Sequence, residues 1–252
     1  MSQVLILGAT GSLGRCVTLQ AIAANHEVSV LVRTPSKLPT EVREAVRVHQ
    51  ADLATISAHE LADLFQRHDA VINTAGLVSE GQVFADLVAH VVDGLVSVAE
   101  ADRPVCWFLA GAALLDLDDR GRRGVDLPRV ASVYWPHRAN FDRIRRSTLD
   151  WRVLCPGPMV DQPPIGLARM RVSLDRVPVQ VPSISRHLPG ALLLPLFVRR
   201  VPEMIVSYAD AAALMLANLT PAGEMSRHRV GLALPSGIRG KKQRWTARPR
   251  AA

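Results

Sequence analysis

The chain is poor in cysteine and in aromatic residues, and it contains no long uninterrupted hydrophobic run. Its 252 residues include three cysteines, and phenylalanine, tryptophan and tyrosine together make up 4%. Cys16, Cys106 and Cys155 form no CxxC pair, which argues against a disulfide framework and a metal-ligand cluster. We expect buried thiols in a reducing cytoplasm. With no apolar stretch of about 20 residues and no recognisable leader, the sequence predicts a cytoplasmic protein without a membrane span.

Acidic residues are absent from the C-terminal tail, where most of the net charge of +7 lies. Six cations there account for all but one of these charges: Arg239, Lys241, Lys242, Arg244, Arg248 and Arg250. Single-stranded nucleic-acid surfaces combine such charges with aromatic stacking residues, and only Trp245 interrupts this tail. We therefore predict a flexible, solvated tail over residues 237–252 and no nucleic-acid partner.

The rest of the chain is apolar enough to bury a large core. Hydrophobic residues make up 48% of the sequence, and a chain of this length can fold around one core. No internal repeat interrupts it. The composition predicts a single domain over residues 1–236.

A glycine-rich turn follows the first apolar run. Val4–Leu7 stops at Gly8, and the string continues through a helix-like segment. Its spacing is that of a strand, a tight turn and a helix whose free N–H groups can face phosphate. The predicted cofactor-binding residues of this turn are Gly8, Thr10, Gly11, Ser12, Leu13 and Gly14. The alternative is a turn that binds nothing.

The string Gly8-Ala9-Thr10-Gly11-Ser12-Leu13-Gly14-Arg15 resembles the nucleotide turn of the atypical short-chain dehydrogenase/reductases. That group contains NmrA-like proteins and flavin or biliverdin reductase-like proteins, and the resemblance covers roughly residues 1–160. It implies an α/β fold, a doubly wound parallel sheet (Rossmann fold), with an NAD(P) site. It also implies a small C-terminal substrate-binding region, mainly residues 156–207.

The end of the second predicted strand indicates which dinucleotide is preferred. Arg33-Thr34-Pro35-Ser36-Lys37 supplies two cations and two hydroxyls, with no carboxylate in this stretch to repel a 2′-phosphate. This favours NADP(H) over NAD(H), with Arg33 as the main contact and Lys37 as a second one. The alternative is that Arg33 is a solvated loop cation.

Other strand ends carry residues to which the resemblance gives cofactor contacts. It implies that Asp52 and Leu53 lie at the adenine. Asn73-Thr74-Ala75-Gly76 resembles the family's NAG-type element, which implies that Asn73, Ala75 and Gly76 line the cofactor. Pro156 opens a Pro-Gly turn that passes the nicotinamide in the resembled families. Ligands bind outside the carboxyl ends of parallel strands, so these ends together predict one site.

The catalytic serine of the active short-chain enzymes has no counterpart at the end of the fifth predicted strand. Ala110–Ala113 contains only glycine and alanine. Tyr134 and Arg138 have the spacing of the family's Tyr-x-x-x-Lys pair. However, proline belongs in the first turn of a helix, so Pro136 predicts a helix over residues 137–147 that Tyr134 precedes.

A second alignment, counted back from the Leu149-Asp150-Trp151 strand entry, places His137 at the lysine position and Val133 at the tyrosine position. Neither alignment gives a complete pair. His137, expected to have a pKa near neutrality, and Tyr134 are the candidate catalytic residues. The alternative is that His137 only helps to start the helix.

The C-terminal half gives coarser predictions. The charged, glycine-containing stretch 116–130 is expected to be a mobile surface loop. Prolines between 161 and 202 are expected to break any long helix. The apolar segment 188–198 predicts a cap on the substrate pocket or an oligomer contact. Asp210, in the first turn of a predicted helix, is expected to be structural.

These features predict an NADP-dependent reductase that transfers hydride to a small, mostly apolar acceptor without a complete Ser/Tyr/Lys triad. The alternative, from another class, is an NmrA-like regulatory protein that binds NADP(H) without turnover. A sugar-nucleotide epimerase or dehydratase is a third possibility, against which the short C-terminal region and the incomplete Tyr/Lys pair count. No metal site is predicted.

Overall fold

A computed structural model describes residues 1–127, 129–180 and 189–241. Its sheets are formed by ten strands, some of them short: β1 (Gln3–Leu7), β2 (Glu27–Val32), β3 (Arg47–Gln50), β4 (Ala70–Asn73), β5 (Val105–Leu109), β6 (Trp151–Pro156), β7 (Met159–Val160), β8 (Arg171–Leu174), β9 (Val206–Ser207) and β10 (His228–Ala233). Buried apolar residues dominate the central strands, and β1, for example, is buried from Val4 to Leu7. Such runs are typical of strands covered on both faces.

Eight strands form one sheet in the order β3-β2-β1-β4-β5-β6-β10-β8. All neighbours are parallel except β8, which runs antiparallel to β10 at the edge. The strand order reverses between β1 and β4, so a crevice lies at the carboxyl ends of these two strands. The predicted doubly wound parallel sheet is confirmed. The short strands β7 and β9 form a separate parallel pair.

Seven α-helices are described: α1 (Ser12–Ala23), α2 (Thr40–Ala45), α3 (Ala58–Phe65), α4 (Gln82–Ser97), α5 (Ala131–Arg146), α6 (Gly190–Arg200) and α7 (Tyr208–Leu216). One face of the sheet is covered by α1 and α7, and the other by α3, α4 and α5. Each layer has its own buried cluster, centred on residues such as Val17 on one side and Phe65 on the other. No helix among the described residues is long and apolar enough to cross a membrane.

Two helices run through prolines that the sequence suggested would end or start them. Helix α5 begins at Ala131 and has Pro136 inside it, so the prediction that Tyr134 precedes this helix is wrong. A proline at this position frees the carbonyl four residues earlier. That carbonyl belongs to Ser132, which is exposed and can be hydrated. Helix α6 likewise contains Pro195.

Two segments were expected to be mobile, and the structure describes contacts in both. In the stretch 116–130, Leu117 and Val125 are buried, and Arg122 forms an ion pair with Asp118, so this stretch packs into the core. At the start of the tail, the N–H of Gly240 donates to the carbonyl of Pro202 at 2.7 Å. The flexibility predicted for residues 237–252 stays a prediction, and residues 242–252, including Trp245, lie outside the described residues.

Candidate functional site

The glycine turn is closed so tightly that two of its glycines admit no side chain. Gly8 has φ +84°, and a Cβ built on it would lie 2.8 Å from the backbone nitrogen of Ala75. A Cβ on Gly14 would lie 2.1 Å from the carbonyl oxygen of Gly8. The N–H of Gly11 donates to the same oxygen at 3.0 Å. Bare backbone therefore connects β1 to α1 at the crevice between β1 and β4.

The first turn of α1 presents N–H groups that the helix itself does not use. The first intrahelical donor is the N–H of Arg15, which bonds to the carbonyl of Gly11 at 2.9 Å. The N–H groups of Ser12, Leu13 and Gly14 therefore have no partner within the helix. No acidic residue stands in this turn. Partial positive charge at the helix start and the lack of a carboxylate make this turn suited to an anion such as a pyrophosphate.

The end of β4 locks the glycine turn in place. Thr74 donates to the carbonyl of Leu7 from its backbone N–H and from its hydroxyl, both at 2.9 Å. The side chain of Asn73 accepts a hydrogen bond from the N–H of Ala75 at 3.0 Å. A Cβ on Gly76 would lie 2.3 Å from the ring of Phe84. These residues shape the backbone of the crevice, and their direct cofactor contacts stay predictions.

The ends of β2 and β3 bring a cation and a carboxylate together. The side chain of Arg33 is 76% exposed, and its Nη1 lies 4.0 Å from Oδ2 of Asp52. The stretch 33–37 contains no carboxylate, as the sequence shows, but Asp52 approaches Arg33 from the end of the next strand. Lys37 is exposed in a short 3₁₀ turn, and Leu53 is buried. Arg33 is free to move toward a ligand, but it has a competing partner.

His137 projects from α5 toward the ends of β4 and β5. Its ring meets the edge of Phe84 at a centroid distance of 5.6 Å and stacks on Tyr134 at 6.0 Å. A Cβ on Gly111, after β5, would lie 3.6 Å from Nε2 of His137, so that nitrogen faces backbone without a side chain. This is the position at which the sequence showed no catalytic serine.

Burial lowers the pKa of His137 to about 4. The side chain is 8% exposed, and desolvation disfavours the charged imidazolium. The expectation of a pKa near neutrality is therefore wrong. At neutral pH the ring is uncharged and carries a single N–H, so it can donate one hydrogen bond without bearing a charge.

Tyr134 and Arg138 both lie on α5, but their side chains contact different residues. Tyr134 is half-buried against His137, whereas Arg138 is 47% exposed and approaches Asp126 at 3.9 Å. This geometry argues against Arg138 acting beside Tyr134 as the lysine of the Tyr-x-x-x-Lys pair does. Of the two alignments, the one that places His137 at the lysine position brings a polar ring to the strand ends, while Val133 is 56% exposed.

Asn140 is a polar residue of this site that the sequence motifs did not indicate. Asn140 lies one turn after His137 on the buried face of α5 and is 7% exposed. It lines a small pocket together with His137 and with residues at the strand ends, Asn73, Ala75 and Ala110. The signal was available in the sequence, since an asparagine three residues after His137 interrupts an otherwise apolar helix face.

Residues of the C-terminal region pack beside the end of β6 and hold neighbouring loops by hydrogen bonds. Pro156 is buried as the last residue of β6, and a Cβ on Gly157 would lie 2.4 Å from the carbonyl oxygen of Met204. Asp210 accepts hydrogen bonds from the N–H groups of Ile165 and Gly166 at 3.0 and 2.9 Å, which fits its expected structural role.

Within the apolar segment 188–198, Leu193 and Phe197 are buried in the core, while Leu192 and Val198 are exposed. Residue 188 lies outside the described residues. The cap or oligomer contact predicted for this segment stays a prediction.

Comparisons with known proteins agree with this geometry. A sequence model of the family described as NAD(P)H-binding matches residues 8–193. YwnB, an uncharacterized protein of Bacillus subtilis strain 168, is 27% identical over 165 residues, which are 62% of this chain and 72% of that protein.

Solved structures share the fold at low sequence identity. A proposed NADH-flavin reductase from Streptococcus pneumoniae superposes with a TM-score of 0.66 at 18% identity, covering 93% of this chain and 100% of that one. A short-chain dehydrogenase/reductase from Veillonella parvula in complex with NADP gives a TM-score of 0.64 at 15% identity, covering 97% and 100%.

Proposed function

The chain belongs to the NAD(P)H-binding family, and from this membership we propose that it is an NADPH-dependent reductase of a small, mostly apolar acceptor. The observation that carries the proposal is the placement of His137. One continuous edge of the sheet holds the glycine turn after β1 and, two strands away, a neutral imidazole beside the bare backbone of Gly111. The resemblance to a proposed NADH-flavin reductase supports the same class of reaction.

The residues present fit a dinucleotide. Close backbone packing at Gly8 and Gly14 holds the start of α1 against the end of β1, and the first turn of α1 keeps free N–H groups for a phosphate. Arg33 is exposed at the end of β2, where a 2′-phosphate would lie. We infer that Arg33 exchanges Asp52 for this phosphate, because a guanidinium binds a dianionic phosphate more strongly than an exposed carboxylate.

A bound NADPH supplies the hydride, and the chain supplies placement. His137 stays uncharged and donates a hydrogen bond from Nε2 toward the open backbone at Gly111, where an acceptor oxygen or nitrogen would be held. Phe84 and Tyr134 fix the plane of the imidazole. Acceptors that take hydride into a conjugated system need little acid catalysis from the protein, which suits a site without the serine and lysine.

A binding protein without turnover is the second candidate. The observation that favours it is the pairing of Arg138 with Asp126, which leaves α5 with no cation beside Tyr134. The two candidates differ in two measurable respects, since a sensor would bind oxidised and reduced cofactor with comparable affinity and would reduce no acceptor.

The first experiment is a calorimetric titration of the full chain with NADPH, NADP⁺, NADH and NAD⁺, followed by assays with flavins and quinones. We expect tight binding with preference for the phosphorylated pair. In Arg33→Asp, the preference should shift toward NADH by about 10- to 100-fold, because one charge-assisted contact is replaced by repulsion. Asp52→Asn is the matched control and should strengthen NADPH binding, since it removes the competing carboxylate.

Absence of binding by all four dinucleotides would refute both candidates. An unchanged preference in Arg33→Asp would show that the phosphate is held elsewhere. Binding without reduction of any acceptor would favour the sensor.

A further inference from the structure

Two buried polar side chains on α5 share an unusual state. His137 is 8% exposed and Asn140 is 7% exposed. Nδ1 of His137 and Nδ2 of Asn140 are both fully buried, and neither has a hydrogen-bond partner among the described residues. Burying such an atom without a partner costs free energy, and proteins rarely leave one in this state. Here there are two, one helical turn apart.

Both side chains line the same small pocket. Its other walls are mostly apolar and include Phe84, Val88 and Phe141. The pocket has room for about one water molecule. Its remaining polar side chain is Asn73, whose Oδ1 already accepts the N–H of Ala75. Within this lining, Nδ1 of His137 and Nδ2 of Asn140 are the buried side-chain nitrogens without a partner among the described residues, and both side chains lie on one face of α5.

We propose that Asn140 is a positioning residue that, through one bound water, holds His137 as the tautomer with hydrogen on Nε2. In this arrangement Nδ2–H of Asn140 donates to the water oxygen, and the water donates to the lone pair of Nδ1. In the opposite tautomer, both Nδ1–H and Nδ2–H would donate to the water, which would lose Nδ1 as an acceptor. Its hydrogens would then be left to the apolar walls or to an amide oxygen such as Oδ1 of Asn73, which already accepts from Ala75.

The fixed tautomer directs the single N–H of the neutral ring to the place where it can act. Nε2 faces Gly111, and burial keeps the ring uncharged at neutral pH. Phe84 and Tyr134 restrict the rotation that would exchange the two nitrogens. This consequence rests on the proposed reductase function, whereas the tautomer itself is a property of the free protein.

The tautomer can be measured directly by nitrogen NMR on protein labelled at the histidine rings, without cofactor. The signals of His137 are identified by their loss in His137→Gln. In the wild-type protein we expect hydrogen on Nε2 and a bare Nδ1. In Asn140→Leu we expect the ratio of the two tautomers to change about tenfold, as the loss of one hydrogen bond predicts.

Two further variants separate the loss of the hydrogen-bond donor from a change in packing. Asn140→Thr retains a hydroxyl that can donate to the water and should retain the tautomer. Ile144→Val trims an apolar wall of the same pocket and leaves both polar groups, so it should change nothing in the spectrum. If Asn140→Leu does not fold, the wild-type spectrum and Asn140→Thr still decide.

Hydrogen on Nδ1 in the wild-type protein, or an unchanged ratio in folded Asn140→Leu, would overturn the proposal. In the reductase assay, Asn140→Leu should lower kcat about tenfold, since a mispositioned donor is lost at the acceptor, while the affinity for NADPH stays unchanged. A wild-type protein without turnover would refute the proposed function only, because the tautomer is measured without cofactor or substrate.

Discussion

Two regions of the sheet differ in how their polar groups are paired: the β10 side, toward the β8 edge, and the crevice side, at the carboxyl ends of β1, β4 and β5. Beside β10, Arg229 donates to both carboxylate oxygens of Asp116, at 2.9 and 3.1 Å, and to Asp175 at 3.2 Å. Its guanidinium also lies 5.2 Å from the ring centre of Phe141. Beside β1, β4 and β5, the helix-start N–H groups and Nδ1 of His137 have no such partners among the residues that the structure describes.

This difference separates scaffold from site. The carboxylates around Arg229 are satisfied by the protein itself, and the pKa of Asp175 is lowered because hydrogen bonds and positive charge from His228 and Arg229 outweigh its burial. The crevice contains hydrogen-bonding groups without a protein partner among the described residues, and such groups are favourable only if a ligand or water pairs with them. Changes on the β10 side should therefore alter stability, whereas changes at the crevice should also alter binding.

Gly14→Ala should have the largest effect. Its Cβ would meet the carbonyl oxygen of Gly8 at 2.1 Å, so the start of α1 must move away from the turn. We expect a loss of about 3 kcal/mol in the free energy of unfolding, as for severe overpacking. Affinity for NADPH should fall at least about 100-fold, since the N–H groups that we propose bind the pyrophosphate move with the helix. Urea denaturation and calorimetry measure the two losses.

Gly11→Ala is the matched control in the same turn. Its Cβ would lie 3.3 Å from the oxygen of Gly8, and this glycine has φ −78°, which alanine readily adopts. Stability should change by less than about 1 kcal/mol, while affinity should still fall because the side chain obstructs the pyrophosphate. Equal stability losses in the two variants would contradict the distinction between close packing and ligand approach.

Arg229→Met should affect stability without affecting binding. It leaves Asp116 and Asp175 without their central cation, and their side chains are 20% and 35% exposed. We expect a loss of about 2 kcal/mol, below the cost of a fully buried pair. The matched control is Arg176→Met, which breaks an exposed ion pair with Asp119 and should cost less than about 0.5 kcal/mol. A large loss of NADPH affinity in Arg229→Met would remove the separation between the two sides.

The sequence was most informative where one residue type has one structural use. A glycine whose Cβ would collide with backbone, such as Gly14, is visible from its spacing, and so is the strand before it. Prolines were less informative, because Pro136 was expected in the first turn of a helix but lies inside α5, where the residue four positions earlier, Ser132, is exposed. The contact between Arg33 and Asp52 joins two strand ends and could not be inferred from either strand alone.

Burial was the property that the sequence predicted least well. His137 was expected near its solution pKa because nothing in its neighbours along the chain indicates desolvation. The residues that bury it, such as Phe84 and Tyr134, come partly from another helix. The same holds for the stretch 116–130, whose charges suggested a solvated loop while Leu117 and Val125 hold it to the core. A run of charged residues predicts a solvated loop only when the apolar residues between the charges are also exposed.

The smallest predicted effect is the pH dependence that His137 imposes on stability. Its pKa is about 4 in the folded protein and about 6.5 in an unfolded chain. The unfolded state therefore binds more protons between these values, and the free energy of unfolding falls as the pH falls from 6.5 toward 4. We expect His137→Gln to remove about 1–2 kcal/mol of the stability difference between pH 7 and pH 5.

Some pH dependence of the same sign should remain in His137→Gln, because burial also lowers the pKa of His49 and His68. The control is His59→Gln, at a side chain that is 84% exposed and lies 3.2 Å from Asp63, and it should change stability far less than His137→Gln does, because exposed pairs contribute little. Denaturation curves at pH 5, 6 and 7 provide the comparison. If His137→Gln and the wild-type protein lose the same stability on acidification, the crevice does not hold an uncharged imidazole. The contrast with the ion-paired side of the sheet would then rest on the glycine turn alone.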